Sequence, residues 1–260
     1  MVERRPTVTV SLDGREVEAY ADETVLSCAR RNDVTIPSLC YLDGLTPWGG
    51  CRLCVVEIAE DLRLRPACAT AVSADMEIRT DTARLREYRR TILELLFAEG
   101  NHVCAVCVSN GNCELQDMAV RCGMDHVRYD ARSPARRIDA SHPKYVFDPN
   151  RCILCTRCVR VCDEIEGAHV WDVAARGQQA ELVTGMHQPW GEVPSCTWCG
   201  KCVAVCPTGA LSYQGRAVGE MRHDPAMIGR LAAARERGEW LDPTDEVAVD
   251  LTAGAREPAR

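Results

Sequence analysis

The sequence predicts an α+β chain divided into several small lobes, not one domain around a large apolar core. Three observations predict it. Seventeen of the 260 residues are cysteine while aromatics are scarce, with two Phe, five Trp and six Tyr; so few large apolar side chains favour small lobes organised around inorganic centres. Alternating patterns at the N-terminus give way to an amphipathic pattern from Thr82 to Glu99. Two later stretches repeat one signature, Cys152-x2-Cys155-x2-Cys158-x3-Cys162 and Cys196-x2-Cys199-x2-Cys202-x3-Cys206-Pro207.

The odd cysteine total and the tight spacings argue against a secreted disulfide scaffold. Met1 to Thr7 lead directly into alternating residues without an apolar signal region, and no stretch approaches the length of a membrane span. A reducing cytoplasm is the expected compartment. The formal net charge is -7, and Arg151, Arg157 and Arg160 are interspersed with cysteines and gather into no basic face. That balance disfavours nonspecific nucleic-acid binding.

Thr7 to Leu12 and Glu16 to Tyr20 alternate as two short strands around an Asp13-Gly14 turn. Asp22-Glu23-Thr24 then opens a helical pattern through Val25, Leu26, Cys28 and Ala29. Pro37 ends an extended piece, a Gly- and Cys-rich loop runs from Cys40 to Cys54, and Val55 to Ala59 reads as a strand. This order resembles the β-grasp domain of plant-type [2Fe-2S] ferredoxins. Thr82 to Glu99 is the strongest helix pattern, with Leu85, Tyr88, Ile92, Leu95 and Leu96 near one face. A second helical piece surrounds Leu115 to Cys122, and Pro134 and Pro143 punctuate a basic connector. His169 to Val173 and Ala180 to Thr184 read as a hairpin around Arg176-Gly177. Met221 to Arg237 is expected to be a docking helix, and Ala253 to Arg260 a loose tail.

The repeated run belongs to chains that wrap two [4Fe-4S] cubanes, with the fourth cysteine of each run ligating the other run's cluster. Cys152, Cys155, Cys158 and Cys206 are therefore expected to hold one cubane, and Cys162, Cys196, Cys199 and Cys202 the other. An earlier group, Cys40-x10-Cys51-x2-Cys54-x13-Cys68, supplies four thiolates, the number a [2Fe-2S] rhombus needs. Its first gap is longer than in ordinary plant-type ferredoxins, and structural zinc is the rival reading of any such CxxC set. A further group, His102-x-Cys104-x2-Cys107-x5-Cys113, suits either a cubane or zinc, and His102 also reads as an ordinary polar residue at a helix end. Spacing leaves that choice open.

Three segments carry a wider resemblance: Leu95 to Cys107 (LLFAEGNHVCAVC), Arg151 to Glu164 (RCILCTRCVRVCDE) and Cys199-Gly200-Lys201-Cys202. They resemble the N-terminal three-cluster region of the large iron-sulfur subunit of respiratory complex I. They are closer still to the small diaphorase subunit of soluble NAD-reducing [NiFe] hydrogenases. The likeness runs from Thr7 to about Trp240. Complex I subunits usually place a histidine four positions before the first cysteine of the second group, where this chain has Gly100. The hydrogenase-type subunit has the shorter spacing of His102.

The resemblance implies a β-grasp [2Fe-2S] domain over residues 1–80 and a small helical [4Fe-4S] domain with one His and three Cys ligands over 81–140. A bacterial-type 2[4Fe-4S] ferredoxin domain over 141–215 and a partner-docking helix and tail over 216–260 complete it. One [2Fe-2S] and three [4Fe-4S] clusters need sixteen protein ligands; His102 and all the cysteines except Cys28 and Cys122 supply them. Those two read as small buried hydrophobes. No glycine-rich dinucleotide loop follows a strand, so FMN, NAD and the NiFe centre are expected on partner subunits. The implied role is a relay without a substrate site of its own. Electrons from H2 would enter at the paired-cubane lobe, pass the His-ligated cubane and reach the FMN/NAD-binding diaphorase subunit, with the [2Fe-2S] centre beside the path. Alternatives are the electron-transfer subunit of an NAD-dependent formate dehydrogenase or complex I-like enzyme, and a zinc-stapled scaffold. The first pair usually continues into a large molybdopterin-type domain, whereas this sequence runs only to Arg260 after Cys206.

Overall fold

A computed structural model describes residues 5–132, 135–216 and 223–239. The N-terminal lobe is a five-stranded sheet in the order β2-β1-β5-β3-β4. Its strands are β1 (Thr7–Leu12), β2 (Arg15–Tyr20), β3 (Val55–Ile58), β4 (Arg65–Pro66) and β5 (Glu77–Arg79). The first two pair antiparallel with Leu12 opposite Arg15. That register leaves only Asp13 and Gly14 in the turn, both at positive φ (51° and 81°), the backbone that Asp-Gly adopts most readily. The Asp13 carboxylate also accepts from the Thr80 backbone N–H and hydroxyl, which pins the end of β5 beside β1. Helix α1 (Val25–Arg31) starts where the Thr24 hydroxyl accepts the Ser27 N–H, and it buries Val25, Leu26, Cys28 and Ala29 against the sheet. No strand forms before Pro37; the chain from Ile36 to Cys54 is irregular.

The middle lobe pairs α2 (Ala83–Glu99) with α3 (Glu114–Arg121). Thr82 caps α2 by accepting the Leu85 N–H. The buried face of α2 differs from the face that apolar spacing selects. Leu85 and Leu93 are buried with Arg89, Glu94 and Ala98, whereas Tyr88 and Leu95 are 49% and 43% exposed. The reason is polar: Arg89 turns inward and donates to the carbonyls of Leu53, Val55 and Thr80, and Glu94 accepts from Arg128. A buried charge with several such partners outweighs one exposed apolar side chain in fixing a helix's rotation.

The third lobe closes when β6 (Tyr145–Phe147) pairs with β9 (Leu211–Tyr213), bringing together the two ends of the cysteine-rich segment. Between them lie helix α4 (Arg157–Arg160), which continues as a wider turn through Glu166, the hairpin β7 (Trp171–Ala174) and β8 (Glu181–Thr184), and helix α5 (Lys201–Ala204). Helix α6 (Ala226–Glu236) packs on its own chain. It buries Ile228 and Ala234, and Arg235 donates to the carbonyls of Glu164 and Ile165. Gly44 and Gly229 let α6 cross the loop after Cys40; a Cβ on Gly44 would stand 2.8 Å from the Ile228 carbonyl oxygen. Residues Met221 and Arg222 and the expected tail lie outside the described residues.

One side chain binds all three lobes. Arg157, 3% exposed, donates to both carboxylate oxygens of Glu114 at 2.6 and 2.9 Å, to the Tyr41 carbonyl and to the Val205 carbonyl. Burial lifts the Glu114 carboxyl, but His223 and Arg157 outweigh it and hold the group below its usual range. A depressed folded pKa stabilises at neutral pH and is lost only as pH falls through that value, so the clamp loosens only in acid. Arg157→Met should cost about 3 kcal/mol, because it removes the bidentate partner of the partly buried Glu114. The check is the denaturant midpoint of the cluster-loaded chain; an unchanged midpoint would mean that the lobes hold together without the clamp.

Candidate iron-sulfur sites

The irregular loop of the first lobe carries Cys40, Cys51 and Cys54, and the turn after β4 brings Cys68 to them. Cys40, Cys54 and Cys68 are at most 1% exposed. Their thiols lie close enough to influence one another's ionisation, Cys40 with Cys51 and Cys68, and Cys54 with Cys68. That proximity pushes the Cys40 and Cys54 thiols down and the Cys51 and Cys68 thiols up. Backbone N–H groups of Gly50 and Cys51 also point at the Cys40 sulfur. Such bonds favour thiolate and tune a bound cluster.

The other donors ring three cavities. The cysteines of the first are Cys152, Cys155, Cys158 and Cys206. The second has Cys162, Cys196, Cys199 and Cys202. The third has His102, Cys104, Cys107 and Cys113. Each run thus contributes three cysteines to one cavity and its fourth to the other. Among the described residues no three His, Cys, Asp or Glu side chains meet closely enough for a single metal ion; these donors stand around a space.

The two runs share a local backbone. Leu154 and Thr156 in the first, and Trp198 and Gly200 in the second, occupy equivalent positions and all have positive φ, between 50° and 72°. Each non-glycine residue there costs roughly 1 kcal/mol. This conformation turns the loop so that its N–H groups and sulfurs face inward; the Leu154 N–H reaches the Cys152 sulfur at 3.4 Å. Burial pushes the thiols of Cys152 and Cys155 up to about 12 and about 11, and that of Cys113 to about 11. Loading these sites with iron must therefore release protons.

His102 tests the fit of the third site. Its Nε2 atom is buried without a hydrogen-bond partner and lines the cavity with the three cysteines. Burial first, and the Arg151 cation second, hold the imidazole down to about 4, so the ring is neutral. Its plane meets Phe97 edge-on at 5.2 Å. A Cβ at Gly100 would lie 2.3 Å from that Nε2 atom, so the missing side chain at position 100 is what leaves room for the ring. A neutral imidazole with an unpartnered buried nitrogen, lining one cavity with three thiols, suits a metal centre. Gly100→Ala should displace the ring and lower occupancy of this site while leaving the others loaded; equal loading of all sites would refute the steric argument.

Cys28 and Cys122 stay apart from these sets. Cys28 is fully buried in the first core, and Cys122 caps α3 and packs beside Leu93 and Leu115. Residue spacing does not reveal three further participants, Arg89, Arg157 and Arg160. The available signal is that positions 157 and 160 share a helix with Cys158 and Cys162, so its faces leave little room for them outside. The crossed sets make a sharp expectation: Cys152→Ser with Cys206→Ser should lose about four irons, no more than either alone. Cys152→Ser with Cys162→Ser should lose about eight. Iron analysis that reversed these two results would overturn the crossing.

Three family profiles match in sequence. These are the 2Fe-2S iron-sulfur cluster binding domain over residues 5–83, the NADH-ubiquinone oxidoreductase-G iron-sulfur binding region over 89–128, and the ferredoxin-like domain of NADH-quinone oxidoreductase subunit 3 over 143–212. The G 2 subunit of NADH-quinone oxidoreductase from Rhizobium meliloti is 39% identical over 78% of this chain, which spans only 24% of that relative. The gamma subunit of the NAD-reducing hydrogenase HoxS from Cupriavidus necator is 31% identical, with 79% of this chain and 86% of that one aligned. A chain in the crystal structure of an NAD+-reducing [NiFe]-hydrogenase in the H2-reduced state superposes with a TM-score of 0.77 at 35% identity, covering 86% of this chain and 98% of that one. Among the described residues no helix is long and apolar enough to cross a membrane. The chain belongs to the family of diaphorase iron-sulfur subunits related to the N-terminal region of the NADH-ubiquinone oxidoreductase-G iron-sulfur protein.

Proposed function

We propose that this chain relays electrons between a [NiFe] hydrogenase module and an FMN- and NAD-binding diaphorase subunit, in a cytoplasmic enzyme that couples H2 to NAD+. Its ligand sets are Cys40, Cys51, Cys54 and Cys68 for one [2Fe-2S] cluster, and the three cavity sets for [4Fe-4S] clusters. The lobes would span residues 1–80, 81–140 and 141–215, with 216–260 as a closing segment. Clusters of these kinds supply one-electron transfer and no bond-making to an organic substrate.

One observation carries the reading: the first cavity borders all the other sites. Thr208 lines both it and the His102 cavity, and Cys158 and Cys162 share one helical segment between the two paired cavities. Arg160 bridges the carbonyls of Cys155 and Cys40. The outer sites approach the surface beside exposed apolar side chains, which suits contact with partners. Trp48 stands near Cys51, Val103 and Val106 flank Cys104, and Trp198 lies beside Cys199, itself exposed.

Anaerobically purified full-length chain should carry about fourteen irons and no stoichiometric zinc. Near four irons, with zinc in their place, would return the scaffold reading. The complex isolated from native cells through this chain should contain nickel and reduce NAD+ with H2. Molybdenum in place of nickel would redirect the assignment to a formate dehydrogenase-type enzyme.

A further inference from the structure

Two buried guanidinium groups lack an ion-pair partner among the described residues, and both lie against the backbone of cysteines in the candidate sites. Arg160 is 8% exposed. It donates to the carbonyls of Thr46, Cys40 and Cys155 and to the Thr156 hydroxyl. Arg89 is 5% exposed and donates to the carbonyls of Leu53 and Val55, the residues on either side of Cys54, and to that of Thr80. Carboxylates lie within electrostatic reach, but none is in ion-pair contact with either cation among the described residues. Glu164, near Arg160, accepts the Thr46 N–H. Asp81 and Asp13, near Arg89, are held by Arg86 and by Thr80. Arg157, by contrast, has its own carboxylate in Glu114.

A buried cation held only by neutral oxygens is costly unless an anion balances it. Guanidinium does not deprotonate in proteins, so neutralisation is no escape. The balancing charge has an obvious source. Thiolates around an iron-sulfur cluster make a net negative site that gains charge on reduction, and nearby charge sets the potential.

We infer that Arg160 and Arg89 are potential-setting residues: Arg160 raises the reduction potentials of both the Cys40/Cys51/Cys54/Cys68 centre and the Cys152/Cys155/Cys158/Cys206 centre, and Arg89 that of the first alone. The inference rests on reading these sets as iron-sulfur centres. Neither residue touches iron; each acts through the carbonyls and the field at the sulfurs. Arg160 thereby acts on two sites at once, through the carbonyls of Cys40 and Cys155.

The test is an EPR-monitored redox titration of the full-length, cluster-loaded chain. Arg160→Gln should lower the midpoints of the [2Fe-2S] signal and of one [4Fe-4S] signal, with a tenfold fall in reduced fraction at fixed potential, about 59 mV for a one-electron couple. Arg89→Gln should lower the [2Fe-2S] midpoint only. Arg160→Lys, which keeps the charge, should stay near wild type. Glu164→Gln, which keeps the Arg160 contacts and removes a nearby negative charge, should shift the same two centres upward. That opposite sign keeps the inference testable if Arg160→Gln fails to load. Intact signals with unmoved midpoints, or equal shifts in every centre, would overturn the inference. Absence of these signals in the wild-type chain would instead overturn the cluster reading beneath it.

Discussion

The Arg157 clamp is the constraint on which the arrangement depends. Three small lobes, each with its own modest core, meet where one planar cation reaches a carboxylate and two carbonyls from different lobes. Lysine offers a point charge and could not span those directions; the fixed fork of arginine can. The contact partners adjoin the candidate sites. Tyr41 follows Cys40, Glu114 follows Cys113 and Val205 precedes Cys206. Locking these backbones together fixes the separation of the sites, and electron tunnelling depends on separation more than on any other structural variable.

Within the third lobe the chain accepts local cost for geometry. Leu154, Thr156 and Trp198 sit in the left-handed region, where only Gly200 is at ease. Residues persist there when the surroundings determine them from several sides. Here the surroundings are a ring of buried thiols and the β6–β9 closure, which returns Tyr213 to Tyr145. The same thiols are hard to ionise without a positively charged core to bind, so folding of this lobe and cluster assembly are one linked process.

Which cysteines come to line one cavity was largely legible in the sequence, because CxxC spacing is a local property of the chain. Two cysteines separated by two residues on a tight loop present their sulfurs to one point whatever surrounds them, and the crossed fourth cysteines follow from the repeated run. The hairpins at Asp13-Gly14 and around Arg176-Gly177 were legible for a similar reason. What stayed hidden was the inward direction of charged side chains. Apolar spacing put Tyr88 and Leu95 on the packed face of α2, yet Arg89 and Glu94 are buried there, because their partners at Leu53, Val55 and Arg128 lie far along the chain. Arg157 and Arg160 looked like basic residues scattered among cysteines, since nothing local announces carbonyls more than a hundred residues away. The path of α6 across Gly44 was hidden likewise.

A buried junction with exposed outlets is what distinguishes a relay from a string of separate metal sites. Cys155, Cys158 and Cys206 are all at most 8% exposed, and Cys152 is half-buried. Cys199 reaches solvent, and the His102 site lies under exposed Val103 and Val106. A partner covering Trp198 or Val106 would exclude water from an outlet only once it had docked. Until then an outlet would face high dielectric, which weakens the field of nearby charges there. On the proposed reading, the interior charges would set the junction's potential, and the rim potentials would be completed by the subunit that covers them.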